Sequence, residues 1–146
     1  MWTDTGKLKY VLRDFPLKQI HAHASKLSEA VLCAGDQGKG WEMHNRIFSA
    51  EKTPDPNKLS KDAKAIGLDA KAFDACLKAA KYAGKIDDSI KEGSSLGVNG
   101  TPAFFLGKTD LNNPGKIQAT EMLVGAQPFE AFKQVIDKVL NLAKQP

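Results

Sequence analysis

Apolar residues follow two different periodicities along this chain. Leu8, Tyr10 and Leu12 alternate loosely with their neighbours, which predicts a strand over residues 7–15. From about residue 22 to residue 96, apolar residues instead recur at spacings of three and four. That spacing predicts a continuous block of helices.

The pattern changes again at Gly97. Residues 97–102 are rich in turn-forming types, and the continuous apolar run at 103–106 predicts a strand buried on both faces. A second short strand is predicted at 122–124, and Pro128 suits the first turn of a last helix. The order strand, helices, strand, strand, helix predicts an α/β fold, and 146 residues suit one domain spanning the whole chain.

Two features inside the helical block give specific expectations. Trp41, His44, Ile47 and Phe48 are predicted to form one apolar stripe of a short helix, so we expect Trp41 and Phe48 in the core with His44 hydrogen-bonded beside them. Asp69 precedes a helix whose apolar face includes Phe73. An aspartate at that position is expected to cap the helix N-terminus.

Composition excludes several classes of function. Lys and Arg total 21 against 17 Asp and Glu, which gives a formal net charge of +4. The basic residues are almost all lysines spread along the chain, so nucleic acid is not an expected partner. No apolar run is long enough to span a membrane. Residues 1–6 have no export signal, and the sequence leaves the compartment open.

The two cysteines, Cys33 and Cys76, are too far apart for a Cys-x-x-Cys pair or for a metal site by spacing. From the residues alone, they are either one structural disulfide or two small buried hydrophobic side chains. His21 and His23 could begin a metal site, but no third ligand is close in sequence. No cofactor or metal is therefore expected.

Several segments, in order, resemble DsbA-type thioredoxin-fold proteins. Residues 98–105 (Val-Asn-Gly-Thr-Pro-Ala-Phe-Phe) are similar to the cis-proline segment of that family. Further matching segments are 13–17, 33–39 with 41–44, the residues Phe73, Cys76 and Leu77, and 125–129. The resemblance implies a thioredoxin-like fold in which residues 7–16 and 97–146 form the core elements and residues 22–96 form a helical insertion.

The same resemblance implies a departure from the family. Its members begin with a strand that leads into a Cys-x-x-Cys helix start, and only residues 1–6 precede the predicted first strand here. We therefore expect an N-terminally truncated member without catalytic residues. A Cys at a helix N-terminus has a stabilised thiolate, whereas Cys33 is expected late in one helix and Cys76 in the middle of another.

The resemblance also supplies candidate site residues. It implies a cis Thr101–Pro102 bond in a loop of Asn99, Gly100, Thr101 and Pro102 that pairs with an extended peptide. Alternatively, Pro102 only shapes a turn and starts a strand. The resemblance further implies a structural Cys33–Cys76 bridge and a family that is usually exported or periplasmic.

Three functions follow from these expectations. The first is a non-catalytic binding or assembly domain. The second is a thiol–disulfide oxidoreductase that uses Cys33 and Cys76 or is completed by a partner chain, and the third is a stable fold without a selected activity. Loss of the family's first strand would leave backbone groups unpaired. Direct pairing of the two flanking strands, a homodimer or a separate polypeptide would each repair the sheet, and we expect the homodimer.

Overall fold

A computed structural model of the chain describes residues 2–52, 54–113 and 115–142. The chain divides into two compact units. The helical unit is Arg13–Leu96, and the described part of the sheet unit covers residues 2–12, 97–113 and 115–142. Each unit has its own secondary structure and its own buried side chains.

The described residues contain six α-helices and two strands. The helical unit comprises α1 (Ala24–Gly35), α2 (Gly40–Phe48), a 3₁₀ turn (Pro56–Lys58), α3 (Leu59–Ala65), α4 (Ala70–Lys78) and α5 (Ala83–Ser95). The sheet unit comprises β1 (Ala103–Thr109), β2 (Ile117–Val124) and α6 (Phe129–Leu142). The predicted helical block, both later strands and the last helix are confirmed, and each strand is longer than predicted.

The helical unit closes around a core between α1, α2, α3 and α4. The buried side chains of this cluster are Ala30, Cys33, Ala34, Met43, Ile47, Leu59, Ala63, Leu68, Phe73 and Leu77. The Asp69 carboxylate accepts hydrogen bonds from the backbone N–H groups of Lys71 and Ala72, at 2.8 and 3.2 Å. The predicted cap of α4 is thereby confirmed, and it satisfies N–H groups that have no partner within the helix.

The core expectation for the α2 aromatic residues is wrong. Trp41 and Phe48 are 52% and 76% exposed, and His44 is half-buried between their rings. Of the predicted stripe only Ile47 is buried; it faces the core together with Met43, while the aromatic residues lie on another apolar stripe of α2. Periodicity alone could not decide which stripe would be buried.

The strand predicted over residues 7–15 is also wrong, because these residues have no regular secondary structure. A strand needs a neighbouring strand for its backbone groups, and β1 and β2 pair only with each other among the described residues. Tyr10 and Val11 remain more than half exposed. Although apolar and polar residues alternate loosely over residues 7–15, no side chain of this segment is fully buried.

The sheet is an antiparallel pair in which Ala103 lies opposite Val124 and Leu106 opposite Glu121. A bulge follows at Leu106/Gly107. Helix α6 covers one face, where the Phe104 and Phe132 rings meet edge to face with centroids 4.7 Å apart. This arrangement places the start of β1 immediately after the proline loop described below.

Candidate functional site

The proline loop (Asn99, Gly100, Thr101 and Pro102) connects the end of α5 to the first residue of β1. Gly97 has a φ of +82°, which suits the turn that ends the helix. The Thr101–Pro102 peptide bond is cis. Asn99, Thr101 and Pro102 are exposed, and Gly100 is half-buried. The four candidate residues therefore form one loop that is accessible to solvent.

One hydrogen bond determines which β1 residues direct their backbone N–H and C=O groups toward β2. The Gly125 N–H donates to the Pro102 carbonyl at 2.8 Å, which makes these two residues a hydrogen-bonded pair in the register of the sheet. Antiparallel strands alternate between bonded and non-bonded pairs. Hence the backbone groups of Phe104 point toward β2, and those of Ala103 and Phe105 point away.

The far side of β2 supports this alternation. The Gln127 side chain donates to the Val124 carbonyl at 2.7 Å, as expected if Val124, opposite Ala103, directs its carbonyl away from β1. We call the backbone groups of Ala103 and Phe105 the outer edge of β1. Within the described residues, no second strand pairs with this edge.

The face of the sheet opposite α6 is apolar and accessible. Phe105 lies opposite Met122, and Thr109 lies opposite Ile117, so their side chains alternate to the face away from Phe104. On this face Ile117 is 47%, Met122 41% and Val124 55% exposed. The outer edge is therefore flanked by apolar surface on one side of the sheet and by α6 on the other.

The cysteines lie in the helical unit and are bridged. Cys33 in α1 and Cys76 in α4 are joined by a disulfide with a Cα–Cα distance of 5.9 Å. Cys33 is 1% exposed, and Cys76 packs against the core cluster as a half-buried residue. Each lies toward the C-terminal end of its helix, where the helix dipole does not stabilise a thiolate.

A polar cluster beside the bridge was not anticipated from the sequence. The Asp36 carboxylate lies 3.8 Å from Cys76 Sγ, accepts a hydrogen bond from Lys81 Nζ at 2.7 Å and accepts another from the Tyr82 hydroxyl. The Lys81 hydrogen bond and then the Tyr82 hydrogen bond lower the pKa of Asp36. The pKa values of Lys81 and Tyr82 are raised, chiefly by their hydrogen bonds to Asp36.

The Asp36 carboxylate opposes thiol chemistry at Cys76, and the Lys81 ammonium that pairs with it offsets part of its charge. A nearby negative charge disfavours formation of a second negative charge, so the ionised Asp36 would work against a Cys76 thiolate if the bridge were reduced. The partners of Asp36 are 45 and 46 residues away in the chain. No local sequence signal could have brought them together.

The candidate residues thus form two groups in different units. The proline loop belongs to the sheet unit, and the bridged cysteines belong to the helical unit. Gly125 and Gln127 orient the loop and β2, and the sequence marks them only as part of the turn at 125–129 that resembles the family. Across the described ranges, no group of three or more His, Cys, Asp or Glu side chains is arranged to hold a metal ion.

Comparisons with known proteins agree on the type of domain. Residues 4–137 match the family described as DSBA-like thioredoxin domain. The solved structure of alpha-DsbA1 from Wolbachia pipientis is 26% identical with a TM-score of 0.75, covering 96% of this chain and 72% of that one. The thiol-disulfide exchange protein alpha-DsbA2 from the same organism is 24% identical with a TM-score of 0.73, covering 92% and 67%.

One relative of this chain is named as an antiporter and not as a DsbA-type protein. The Na(+)/H(+) antiporter NhaA 3 of Salinispora tropica is 31% identical over 121 residues, which are 83% of this chain. The chain spans only 19% of the length of that antiporter. Among the described residues of this chain, no helix is long and apolar enough to cross a bilayer.

Proposed function

Because the chain belongs to the DSBA-like thioredoxin domain family, we propose that it binds an extended peptide at the proline loop and performs no dithiol–disulfide exchange with its own cysteines. One observation carries the proposal. The exposed proline loop leads directly into the outer edge of β1, which has no strand partner among the described residues.

The outer edge offers the hydrogen-bonding groups that a peptide needs. Ala103 and Phe105 each present an N–H and a C=O away from β2, at the spacing of alternate strand residues. A peptide that adds as a strand gains affinity from such main-chain bonds and specificity from side-chain pockets. The apolar face with Met122 and Val124 favours a peptide with apolar residues at alternate positions.

The second part of the proposal concerns the cysteines. Cys33 is buried, both sulfurs are in one bridge, and Asp36 is close to Cys76. A reactive cysteine instead occupies an electropositive, partly exposed environment, often at a helix N-terminus. The bridge therefore supports a structural role, in which it ties α1 to α4.

A second candidate function is thiol–disulfide exchange that uses Cys33 and Cys76 or depends on a completing partner chain. It is favoured by the match of residues 4–137 to the DSBA-like thioredoxin domain family. An insulin-reduction assay separates the two candidates. We expect no turnover above the background of free dithiol.

The control for that assay is the double variant Cys33→Ala/Cys76→Ala. Turnover by the natural chain that disappears in the double variant would show that the bridge is a redox site, and the proposed structural role would then be wrong. Titration of thiols in the folded chain adds an independent measurement, and we expect none to react before reduction.

Peptide binding is tested by NMR titration of the ¹⁵N-labelled chain with a ten-residue synthetic peptide of alternating apolar and polar residues. We expect the largest shifts at the amides of the proline loop, Ala103 and Phe105. Ala103→Pro removes one outward N–H and should weaken binding about tenfold. Ala103→Gly keeps that N–H and is the matched control.

The titration also has a clear negative outcome. Equal affinity in Ala103→Pro and Ala103→Gly, with both variants folded, would refute pairing at the outer edge. Shifts concentrated on α2 (Gly40–Phe48) instead of the proline loop would do the same.

A further inference from the structure

We infer that Asn99 and Gly100 form a site of spontaneous covalent modification, at which the Gly100 nitrogen attacks the Asn99 side chain and the asparagine is converted into aspartate and isoaspartate. The modification needs only these two residues of the proline loop and water. Its consequence for peptide binding rests on the proposed function, and the two are measured separately below.

The reaction balances with water as the one added reactant. The Gly100 nitrogen bonds to Asn99 Cγ, the bond from Cγ to Nδ2 breaks, and ammonia leaves with the proton that the Gly100 nitrogen loses. Water then opens the resulting cyclic imide, giving its hydroxyl to a carbonyl carbon and its other proton back to the Gly100 nitrogen. Opening at Cγ gives aspartate, and opening at the main-chain carbonyl gives isoaspartate. Because the reacting atoms belong to adjacent residues, the first step is intramolecular and correspondingly fast.

The sequence supplies the residue pair that this reaction favours. Among the asparagines of the chain, Asn99 alone is followed by glycine. Glycine has no Cβ and adopts many backbone conformations, so the Gly100 nitrogen meets little steric hindrance on its way to Cγ. A Cβ added at Gly100 would meet no atom within 4 Å beyond its chain neighbours. Asn99 is exposed, so water reaches the imide.

The fold leaves the reacting groups of this pair free. Within the described ranges, neither the Asn99 side chain nor the Gly100 N–H has a hydrogen-bond partner. Both residues lie between the end of α5 and the start of β1, outside regular secondary structure. No hydrogen bond of these groups therefore has to open before the attack.

At every other asparagine the attacking nitrogen is engaged or has no hydrogen to lose. After Asn57, the next N–H donates to the Asp55 carbonyl at 2.9 Å. After Asn112, the next N–H donates to the Asp110 carboxylate at 3.2 Å. The remaining asparagines are followed by an N–H inside a helix or by proline: Asn45, Asn141 and Asn113. The structure thus agrees with the sequence in selecting Asn99.

The two products change the proline loop in different ways. Aspartate places a negative charge where the amide was neutral, and such a change of charge acts on nearby contacts. Isoaspartate adds the same charge and also routes the main chain through the side chain of residue 99, which lengthens it by one methylene group. In the proposed function this loop contacts the peptide, so the isoaspartate form should bind the peptide more weakly than the aspartate form.

Peptide mapping by mass spectrometry of the folded chain, incubated at physiological temperature, tests the inference. We expect Asn99 to lose its amide before any other asparagine, at a rate that rises with pH because the attack needs the deprotonated Gly100 nitrogen. Labelling by an isoaspartyl methyltransferase and its methyl donor should identify isoaspartate in the same peptide.

Gly100→Ala is the matched control, since its Cβ meets open space. The added methyl group hinders the attack and should slow the loss of the amide at least about tenfold. Another asparagine that reacts first, or an equal rate in folded Gly100→Ala, overturns the inference.

The unfolded chain provides a second comparison. Asn99 should react in the folded chain within about threefold of its rate in urea, because its groups are already free. Asn57 and Asn112 should react more slowly in the folded chain than in urea. A folded-state rate at Asn99 that falls further below the urea rate would show that the fold protects this pair, and the inference would be wrong.

The consequence for binding is tested by the NMR titration with the synthetic peptide. The isoaspartate form, purified after incubation, is compared with Asn99→Asp, which supplies the charge without the longer main chain. We expect the isoaspartate form to bind about tenfold more weakly, and equal affinities would refute the effect on binding.

The two proposals fail in different ways. If Asn99 is converted but the natural chain does not bind the peptide, the proposed function is wrong and the modification site stands. If the natural chain binds the peptide but Asn99 keeps its amide, the modification site is wrong and the proposed function stands.

Discussion

The helical unit and the sheet unit differ in how far each buries its apolar residues. Nearly all fully buried apolar side chains of the described chain belong to the helical unit, while the sheet unit contributes Ile136. The sheet unit instead exposes Ile117, Met122 and Val124. A closed core needs no partner, whereas an open edge beside exposed apolar surface is typical of a surface that binds one.

The two units also differ in the links that hold each of them together internally. The helical unit has a disulfide between α1 and α4 and ion pairs distant in sequence, such as Arg46–Asp62 at 2.7 Å. The sheet unit has an ion pair of this kind as well, Lys138–Glu121, but it contains no disulfide and is held by a single strand pair and by contacts of α6 with it. We therefore expect substitutions in the two units to have separable effects, and the two tryptophans can report on them, Trp2 in one unit and Trp41 in the other.

The largest expected effect comes from the core of the helical unit. Phe73 is fully buried, so Phe73→Ala should lower the free energy of unfolding by about 3–5 kcal/mol through lost burial and a cavity. Urea unfolding followed by Trp41 fluorescence in a Trp2→Phe background measures this loss.

The matched control is Phe129→Ala, because Phe129 is 56% exposed and stacks on Trp2 at 6.0 Å. The loss of unfolding free energy in Phe129→Ala, followed by Trp2 fluorescence in a Trp41→Phe background, should stay below about 1.5 kcal/mol. If Phe73→Ala costs no more than Phe129→Ala, the contrast between a closed and an open unit is wrong.

A smaller effect is expected at the bulge of the sheet unit. A Cβ on Gly107 would lie 1.9 Å from the Gln118 carbonyl oxygen, so Gly107→Ala must displace backbone and should cost about 1–3 kcal/mol. Trp2 fluorescence in a Trp41→Phe background reports this loss.

Gly84→Ala is the control glycine, since a Cβ there meets nothing within 4 Å near the start of α5. Followed by Trp41 fluorescence in a Trp2→Phe background, Gly84→Ala should be neutral or stabilising by up to about 1 kcal/mol, because alanine favours helix. Equal destabilisation by both substitutions would argue against the close backbone approach at the bulge.

The smallest effect concerns the pH dependence of the helical unit. The pKa of Asp36 is lowered, chiefly by its hydrogen bond to Lys81. The ionised carboxylate therefore stabilises the folded state at neutral pH, and this stabilisation is lost as the pH falls through the lowered pKa. The pKa of Lys81 is raised, so the stabilisation of the folded state by its ammonium group is lost only as the pH rises through that raised pKa. Asp36→Asn should therefore flatten the acid side of the stability profile.

Urea midpoints of the natural chain and Asp36→Asn, measured from neutral to acid pH, check this expectation. Their difference should be largest at neutral pH and shrink as Asp36 becomes protonated. A difference that is constant over the whole range would mean that the Asp36 charge does not contribute. Lys133→Ala is a control, because Lys133 pairs with Asp137 in the sheet unit.

Much of the fold could be predicted because its signals are local. The spacing of apolar residues defined the helices between residues 22 and 96, and Asp69 marked the start of α4. Turn-forming residues and a short apolar run located the proline loop and β1. The proline loop was identified as a candidate site by its resemblance to the DsbA-type cis-proline segment, a resemblance that four consecutive residues are enough to carry.

Other features were decided only by tertiary structure. Residues 7–15 have a strand-like pattern but no neighbouring strand, and α2 has two apolar stripes of which the core selects one. The Asp36 cluster joins groups that are more than forty residues apart. The sequence by itself determined which segments could form helices and strands, because those preferences act over a few residues. Which edge stays open and which face is buried depends on contacts between distant segments, and the sequence pattern does not contain them.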